Sequence, residues 1–397
     1  MRGAALPHSR TNALTHFLLM TEEQQQIRDL AREFAENELR PHAEQWDRES
    51  HFPREVIGKL GELGFLGMLL PEQYDGLALD TLAYVVALEE IARGDASVAV
   101  AMSVHNSLPT QMILAHGTDA QKERWLGPMA RGEMLGAFSL SEPDAGSDAA
   151  GMAATARRAD GGWILNGAKA WVTNGGFGDV VVTMVRTDTP EDRRGAKGIG
   201  AFIVPTDTEG YSVGKKEDKM GQRASETVGI SFHEMFVAAD QLLGDPSQGF
   251  IYALQGLDNG RMGIAALAIG VAQAALEHAL AYADERKQFG QPIRGFQGMQ
   301  FKLANMATRI EAARALLHRA AAAKDAGEPV SKLSSMAKLF ASEAAMYVTT
   351  EAIQVFGGYG YVKEYPVERL FRDAKVTEIY EGTSEIQRTV IARELYR

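Results

Sequence analysis

The sequence predicts a mainly α protein with a central β domain: an N-terminal helical domain, a β-barrel-like middle domain and a C-terminal four-helix bundle. Three observations predict it. Apolar residues recur at helical spacing from Glu22 to about Ala130. Between about Gly136 and Gly244 that period gives way to short β-branched and aromatic runs, and from about Gln248 long Ala- and Leu-rich stretches follow with short connections. A buried helix face needs apolar residues three and four apart, whereas a half-buried strand needs alternation, so each switch of period marks a domain boundary. The expected divisions are a disordered leader at 1–20 (with Met20 as an alternative start), then 21–135, 136–245 and 246–397.

In the first domain, Ile27, Leu30, Ala31, Phe34, Ala35 and Leu39 form one stripe, Thr21 with Glu22 and Glu23 opens the helix, and Pro41 closes it. Further helices are expected over Val56–Leu66, Thr81–Arg93 and Val98–His116. In the middle domain, Trp163-Ile164-Leu165 and Ala170-Trp171-Val172-Thr173 flank Asn166-Gly167, and Asn-Gly between such runs predicts a hairpin turn. Strands are also expected at Val180–Val185, Gly200–Val204 and Val228–Phe236. Phe250–Arg286, Phe296–Gly327 and Ser331–Phe356 supply the long helices of the bundle. A last helix is expected from near Ser384, where Gln387 three residues on gives a capping-box pattern.

Composition narrows the function. A chain of 397 residues, 45% hydrophobic and 23% charged, is globular and long enough for two or three domains. A net charge of -11 offers no basic face for nucleic acid. The chain has no cysteine, which removes disulfides, thiolate metal sites, iron–sulfur clusters and a cysteine nucleophile, and fits a reducing cytoplasm. The apolar run at 13–20 is too short to span a bilayer, which takes about 20 residues, and lacks a cleavage pattern. No membrane insertion is expected.

Familiar motifs are missing. Gly357-Gly358-Tyr359-Gly360 follows a helix and lacks the dinucleotide spacing, and Ser147 is not in a nucleophile elbow. The 9 histidines include no pair one helical turn apart, so no metal site is expected.

Three other segments carry chemistry. Leu140–Asp148 joins hydroxyls, small residues and free backbone donors near a domain boundary; by itself it reads equally as a polar turn. Trp171-Val172-Thr173 pairs an aromatic face with a hydroxyl, although a tryptophan in a strand is more often core. Ile379–Ser384 places Glu381 just before a helix start, where a carboxylate is favourable on electrostatic grounds alone.

Together these segments closely resemble the acyl-CoA dehydrogenase family, from about Met20 to Arg397. Lys219–Ser225, Leu257–Arg261, Glu285–Gly290, Gln354–Tyr361 and Arg372–Ala374 match as well, in the family's order. The resemblance implies the α–β–bundle architecture, a homotetramer and an FAD cofactor between β domain and bundle. It assigns the flavin to Phe138, Leu140, Ser141, Gly146, Ser147, Trp171, Val172 and Thr173, with Thr173 donating near flavin N5. Arg286, Gln288, Phe289, Phe296, Gln297, Gln354, Gly357 and Gly358 are assigned to the FAD of a neighbouring subunit, and Thr383 and Glu385 to the adenosine diphosphate part. Singly, Arg286 reads as a solvated helix charge and Phe289 as a core aromatic. Ser147, Asp258, Arg261, Tyr380 and Gly382 are assigned to the acyl-CoA substrate, and Glu381 to catalysis.

The implied reaction is α,β-dehydrogenation in fatty acid β-oxidation. Glu381 takes the α-proton, hydride goes to the flavin, and an electron-transfer flavoprotein receives the electrons. The backbone N–H of Glu381 and a ribityl hydroxyl would steady the enolate oxygen. An oxidase using oxygen and a non-catalytic acyl-CoA-binding relative are the alternatives. Burial should raise the Glu381 pKa and the helix N-terminus should lower it; desolvation is expected to dominate once substrate excludes water. In the isovaleryl and long-chain branches the base stands just before the arginine matching Arg261; here that position is Gly260. The resemblance therefore favours short-chain substrates, then medium or short branched ones.

Overall fold

The computed structural model describes residues 20–187 and 195–396, so the expected leader, apart from Met20, lies outside the described residues. Seven helices come first among the described residues: α1 (Glu22–Phe34), α2 (Ala43–Glu49), α3 (Arg54–Glu62), α4 (Thr81–Gly94), α5 (Ala96–Ser107), α6 (Pro109–His116) and α7 (Asp119–Ala130). At the start of α1, the Thr21 N–H donates to Gln24 Oε1 and the Gln24 N–H to Thr21 Oγ1, a reciprocal cap. After Phe34 the helix widens into a π turn over Ala35–Leu39 before Pro41. Of the expected stripe, Ala31, Phe34, Ala35 and Leu39 are buried, whereas Leu30 is exposed. The single helix expected over Val98–His116 is two, because Pro109 forces Leu108 out of helical geometry (φ -112, ψ -82).

The middle domain holds β1 (Gly136–Ser139), β2 (Thr155–Ala159), β3 (Gly162–Thr173), β4 (Val180–Thr187), β5 (Ile199–Pro205), β6 (Tyr211–Lys216), β7 (Thr227–Ala238) and β8 (Leu242–Leu243). They form an 8-stranded sheet in the order β6-β7-β3-β2-β4-β5-β8, with β1 paired to β4. The β2–β4 pairing is parallel and covers only Thr155–Ala156, so two residues join the β6-β7-β3-β2 part to the β4-β5-β8 part, where β1 also pairs with β4 in parallel. The hairpin expected at Asn166-Gly167 is not there. β3 runs straight through it, and the turn lies at Asp160-Gly161 instead, with Ala159 opposite Gly162 and Gly161 at φ +73. Asn166-Gly167 forms a bulge against β7: the Glu234 N–H donates to Asn166 Oδ1, and Asn166 Nδ2 donates to Glu234 Oε1.

The remaining chain is α8 (Gly249–Glu285), a small hairpin of β9 (Lys287–Gln288) and β10 (Gln291–Pro292), then α9 (Gln297–Asp325), α10 (Ser331–Phe356), α11 (Val367–Lys375) and α12 (Ser384–Leu395). α8 is long and apolar enough to cross a membrane, but 72% of its most apolar window is buried in protein. It packs against α4, α9 and α10, and one hydrophobic core joins Tyr84, Leu88 and Ile91 of α4 to Leu267 and Val271 of α8 and Val348 of α10. The two helical regions thus share a single core, and the β domain leans on it from one side.

Candidate active site

Glu381 lies in the short loop that precedes α12. It and Gly382 are both left-handed, at φ 51 and φ 90. A glutamate rarely adopts this conformation, so its surroundings must hold it. Two buried side chains do so through the carbonyls of the turn. Gln387 Nε2 donates to the Glu381 carbonyl at 3.1 Å and to the Gly382 carbonyl at 2.9 Å. Lys338 Nζ donates to the Gly382 carbonyl at 2.8 Å. The expected Ser384–Gln387 capping box therefore does not form: Thr383 caps α12 by accepting from the Ile386 N–H, and Gln387 turns inward, because buried carbonyls need donors.

Both carboxylate oxygens of Glu381 are buried and have no hydrogen-bond partner among the described residues. They lie over Gly260 of α8: a Cβ built there would be 2.8 Å from the Glu381 carboxyl carbon. Burial pushes the Glu381 pKa up to about 7, against the pull of Lys338 and then Arg261. Desolvation is the largest cause, as expected for a buried carboxylate without donors. The Glu381 N–H has no acceptor among the described residues.

The walls come from distant parts of the chain. Arg261 is buried, and its Nη1 donates to Asp258 and to Ser335 Oγ. The Tyr380 hydroxyl accepts from Gln222 Nε2 at 3.2 Å. Gln222 also donates to the Asp373 carbonyl, and its N–H to the Asp373 carboxylate, so the Lys219–Ser225 loop of the β domain is pinned to α11. The Tyr84 hydroxyl donates to Ser103 Oγ at 3.4 Å. A Cβ on Gly263 would meet that pair, 3.1 Å from the Tyr84 oxygen.

A second group forms the lip of the β domain. Lys169, fully buried on β3, donates to Glu142 Oε1 at 2.8 Å and to the Leu140 carbonyl at 3.1 Å. Glu142 also accepts from the N–H groups of Ala153 and Ala154. Burial alone would raise the Glu142 pKa, but these donors outweigh it and hold it below the usual carboxylate range. The Ala170 N–H donates to the Ser141 carbonyl, so Phe138, Leu140 and Ser141 are tied beside Trp171, Val172 and Thr173. Gly146 and Ser147 are exposed farther along the same loop. Trp171 is not core. A register break between Lys169 and Val172 puts it at φ 61, and its side chain is 63% exposed.

A third group lines a groove of about 750 Å³ that includes Arg286, Gln288, Phe289, Phe296, Gly357 and Gly358. Phe289 and Gly290 turn the β9–β10 hairpin at φ 51 and φ 82, which carries the Phe289 ring 94% into the open, so it is no core residue. The Arg286 guanidinium lies 5.6 Å from the Tyr359 ring. A Cβ on Gly357 or Gly358 would meet only open space. Gln297 and Gln354 are exposed on α9 and α10 but do not line the groove, and neither do Thr383 and the exposed Glu385.

The structure thus collects Asp258, Arg261, Tyr380 and Gly382 around Glu381, and leaves the lip and the groove as separate surfaces. An exposed tryptophan beside Thr173 and a polar loop suit a planar, phosphate-bearing cofactor such as FAD. Sequence reasoning missed Tyr84, Ser103, Gln222, Ser335, Lys338 and Gln387. The available signal was Lys338 itself, a charge on an otherwise small and apolar helix face.

Comparisons with known proteins cover nearly the whole chain. The N-terminal, middle and C-terminal domain models of acyl-CoA dehydrogenase match residues 21–133, 137–235 and 247–396. The mitochondrial short-chain specific acyl-CoA dehydrogenase of Bos taurus is 50% identical over 400 residues, spanning 100% of this chain and 96% of that protein. Among solved structures, butyryl-CoA dehydrogenase from Megasphaera elsdenii superposes with a TM-score of 0.93 at 44% identity, covering 96% of this chain and 100% of its own. A chain from the structure of the electron transferring flavoprotein of Acidaminococcus fermentans gives a TM-score of 0.94 at 45% identity, covering 96% and 99%.

Proposed function

The chain belongs to the acyl-CoA dehydrogenase family, and from that premise we propose that Glu381 is the base that removes the α-proton of its acyl thioester. The activity is FAD-dependent α,β-dehydrogenation of a short-chain acyl-CoA to the trans-2-enoyl-CoA, with electrons passed to an electron-transfer flavoprotein. One observation carries the assignment of the base: the Glu381 carboxylate is buried, without a hydrogen-bond partner among the described residues, and has its pKa pushed up to about 7. A base matched to the working pH is the most effective one and contributes typically ~10²–10⁴ in rate.

The chain's own groups divide the work. Glu381 receives the proton on its carboxylate, and burial favours the neutral acid it becomes. Its backbone N–H, which has no acceptor among the described residues, would donate to the thioester oxygen, an interaction worth roughly 3 kcal/mol as charge develops there. Gln387 and Lys338 hold the turn that presents both groups. Arg261, Tyr380 and Gly382 border the substrate. The Phe138–Ser147 loop and Trp171–Thr173 would hold FAD, which would supply the acceptor for the β-hydride. The groove around Arg286, Phe289 and Gly358 would take the cofactor of a second copy, within a homotetramer. A cytoplasmic location completes the reading, and cell fractionation tests it.

The deciding experiment is anaerobic addition of butyryl-CoA and longer acyl-CoAs to the yellow holoenzyme. Bleaching by short chains in the wild type, and none in Glu381→Gln with FAD still bound, is expected. A Glu381→Gln protein that bleaches at the wild-type rate would sink the assignment, and peroxide formed under air would instead favour an oxidase.

A further inference from the structure

Lys338 lies in the middle of α10 with its side chain fully buried, beside Ser334, Ser335, Ala337 and Ala341. Taking an ammonium out of water is costly unless a carboxylate or several acceptors receive it. Its hydrogen bond goes instead to the carbonyl of Gly382, one residue beyond the base. The charged groups that act on it are Glu381 first, then Arg261, Glu378 and Glu385. In return, Lys338 is the strongest cation acting on Glu381, ahead of Arg261. The phenols facing Glu381, Tyr84 and Tyr380, carry no charge to offset it, since burial raises both. Arg261 is a weaker counter-charge because Asp258 already accepts its hydrogen bond. Lys338 and Glu381 are thus each other's principal counter-charge, joined through the turn and not by a direct ion pair. Burial pulls Lys338 down to about 8, which leaves it protonated through neutral pH.

We propose that Lys338 is a positioning residue for the base: it locks the left-handed Glu381-Gly382 turn through the Gly382 carbonyl, and it supplies the fixed positive charge that lets a carboxylate without hydrogen-bond partners exist as an anion there. The inference rests on the reading of Glu381 as the base. Two parts of it separate by substitution. Lys338→Gln removes the charge but keeps a donor toward Gly382; Lys338→Met removes both; Lys338→Arg keeps both.

The test compares these variants as FAD-loaded holoenzymes with the wild type and Glu381→Gln. The first readout is the pH dependence of anaerobic bleaching by butyryl-CoA. The second is the carboxyl infrared band of substrate-free holoenzyme, assigned by difference against Glu381→Gln and titrated with pH. Both neutral variants should raise the Glu381 midpoint by about 1 unit, the effect of removing a nearby opposite charge. Bleaching near pH 7 should then fall about five- to tenfold. Raising the pH should restore it in Lys338→Gln, while Lys338→Met keeps a lower plateau, and Lys338→Arg should titrate like the wild type. An unchanged midpoint in both neutral variants would overturn the proposal. So would failure of both to fold while Lys338→Arg is normal, because the lysine would then be a packing requirement. A wild type that does not bleach, or a Glu381→Gln protein that does, would refute the base assignment itself, a separate result.

Discussion

The carboxylate of Glu381 rests on the bare backbone of Gly260: a Cβ there would lie 2.8 Å from the Glu381 carboxyl carbon and closer still to Oε2. Glycine inside a helix costs about 1 kcal/mol relative to alanine, so the residue needs a reason, and the seat of the base is one. Gly260→Ala should therefore leave α8 at least as stable while driving Glu381 off its position. We expect melting temperature and bound FAD to hold while bleaching by butyryl-CoA falls about 100-fold, the usual consequence of a misplaced reacting group. Near wild-type bleaching would mean that the carboxylate works equally well elsewhere.

Glu381 also sets a pH signature in stability. Its folded pKa of about 7 is raised by burial above the ordinary 4.5. Between those values the native state holds a proton that the unfolded chain has released, so this group's contribution falls as pH rises through the window. Glu381→Gln lacks that loss. Its unfolding free energy should exceed the wild type's by more at pH 8 than at pH 5, the gap widening by at most about 3 kcal/mol. Asp373, likewise raised by burial to about 7, stays in both proteins and cancels from the comparison. A difference that shrinks with rising pH would contradict the burial argument.

The α–β–α order was legible because it is written locally: the Ala31–Leu39 stripe, the Thr21 cap and the strand runs each act within a few residues. The hairpin was misplaced because two Asx-Gly pairs, Asp160-Gly161 and Asn166-Gly167, stand close together in the sequence. The choice between them is made by β7, whose Glu234 pairs with Asn166, and no local window contains both. The same limit hid Lys338 and Tyr84. Lys338 stands out as a charge on a small apolar face, but what it and Tyr84 approach is decided only when α4, α8 and α10 pack. Glu381 itself was legible through its neighbours in sequence, but its lack of hydrogen-bond partners was not.

The Lys169–Glu142 pair should decide whether FAD stays bound. It joins the Leu140–Glu142 segment to the strand that carries Trp171 and Thr173. Lys169→Met would leave Glu142 buried without its cation, a loss of about 3–5 kcal/mol. The purified variant should be paler, with a low ratio of flavin to protein absorbance and a lower melting temperature. Adding Glu142→Gln should recover part of both, since the two residues are coupled. Full flavin content in Lys169→Met would show that the lip holds its shape without the pair.

Gly260 and Gly263 lie three residues apart on α8, about 4.5 Å along its axis. The Glu381 carboxylate sits over the first, and the Tyr84 and Ser103 hydroxyls sit over the second. The buried Tyr84 ring therefore stands one turn from the seat of the base, and it is expected to close the acyl pocket at that end. Tyr84→Ala should shift preference toward longer chains. Each added methylene that finds a pocket is worth about 1–3 kcal/mol, so the ratio of kcat/KM for octanoyl-CoA over butyryl-CoA should rise at least about tenfold. Stability should drop by about 3–5 kcal/mol from the cavity, but a ratio measured on one preparation is insensitive to that. Tyr84→Phe keeps the ring and should keep the wild-type ratio, which separates shape from the hydroxyl. An unchanged ratio in Tyr84→Ala would make Tyr84 a plain core residue, and the limit on chain length would have to come from another wall.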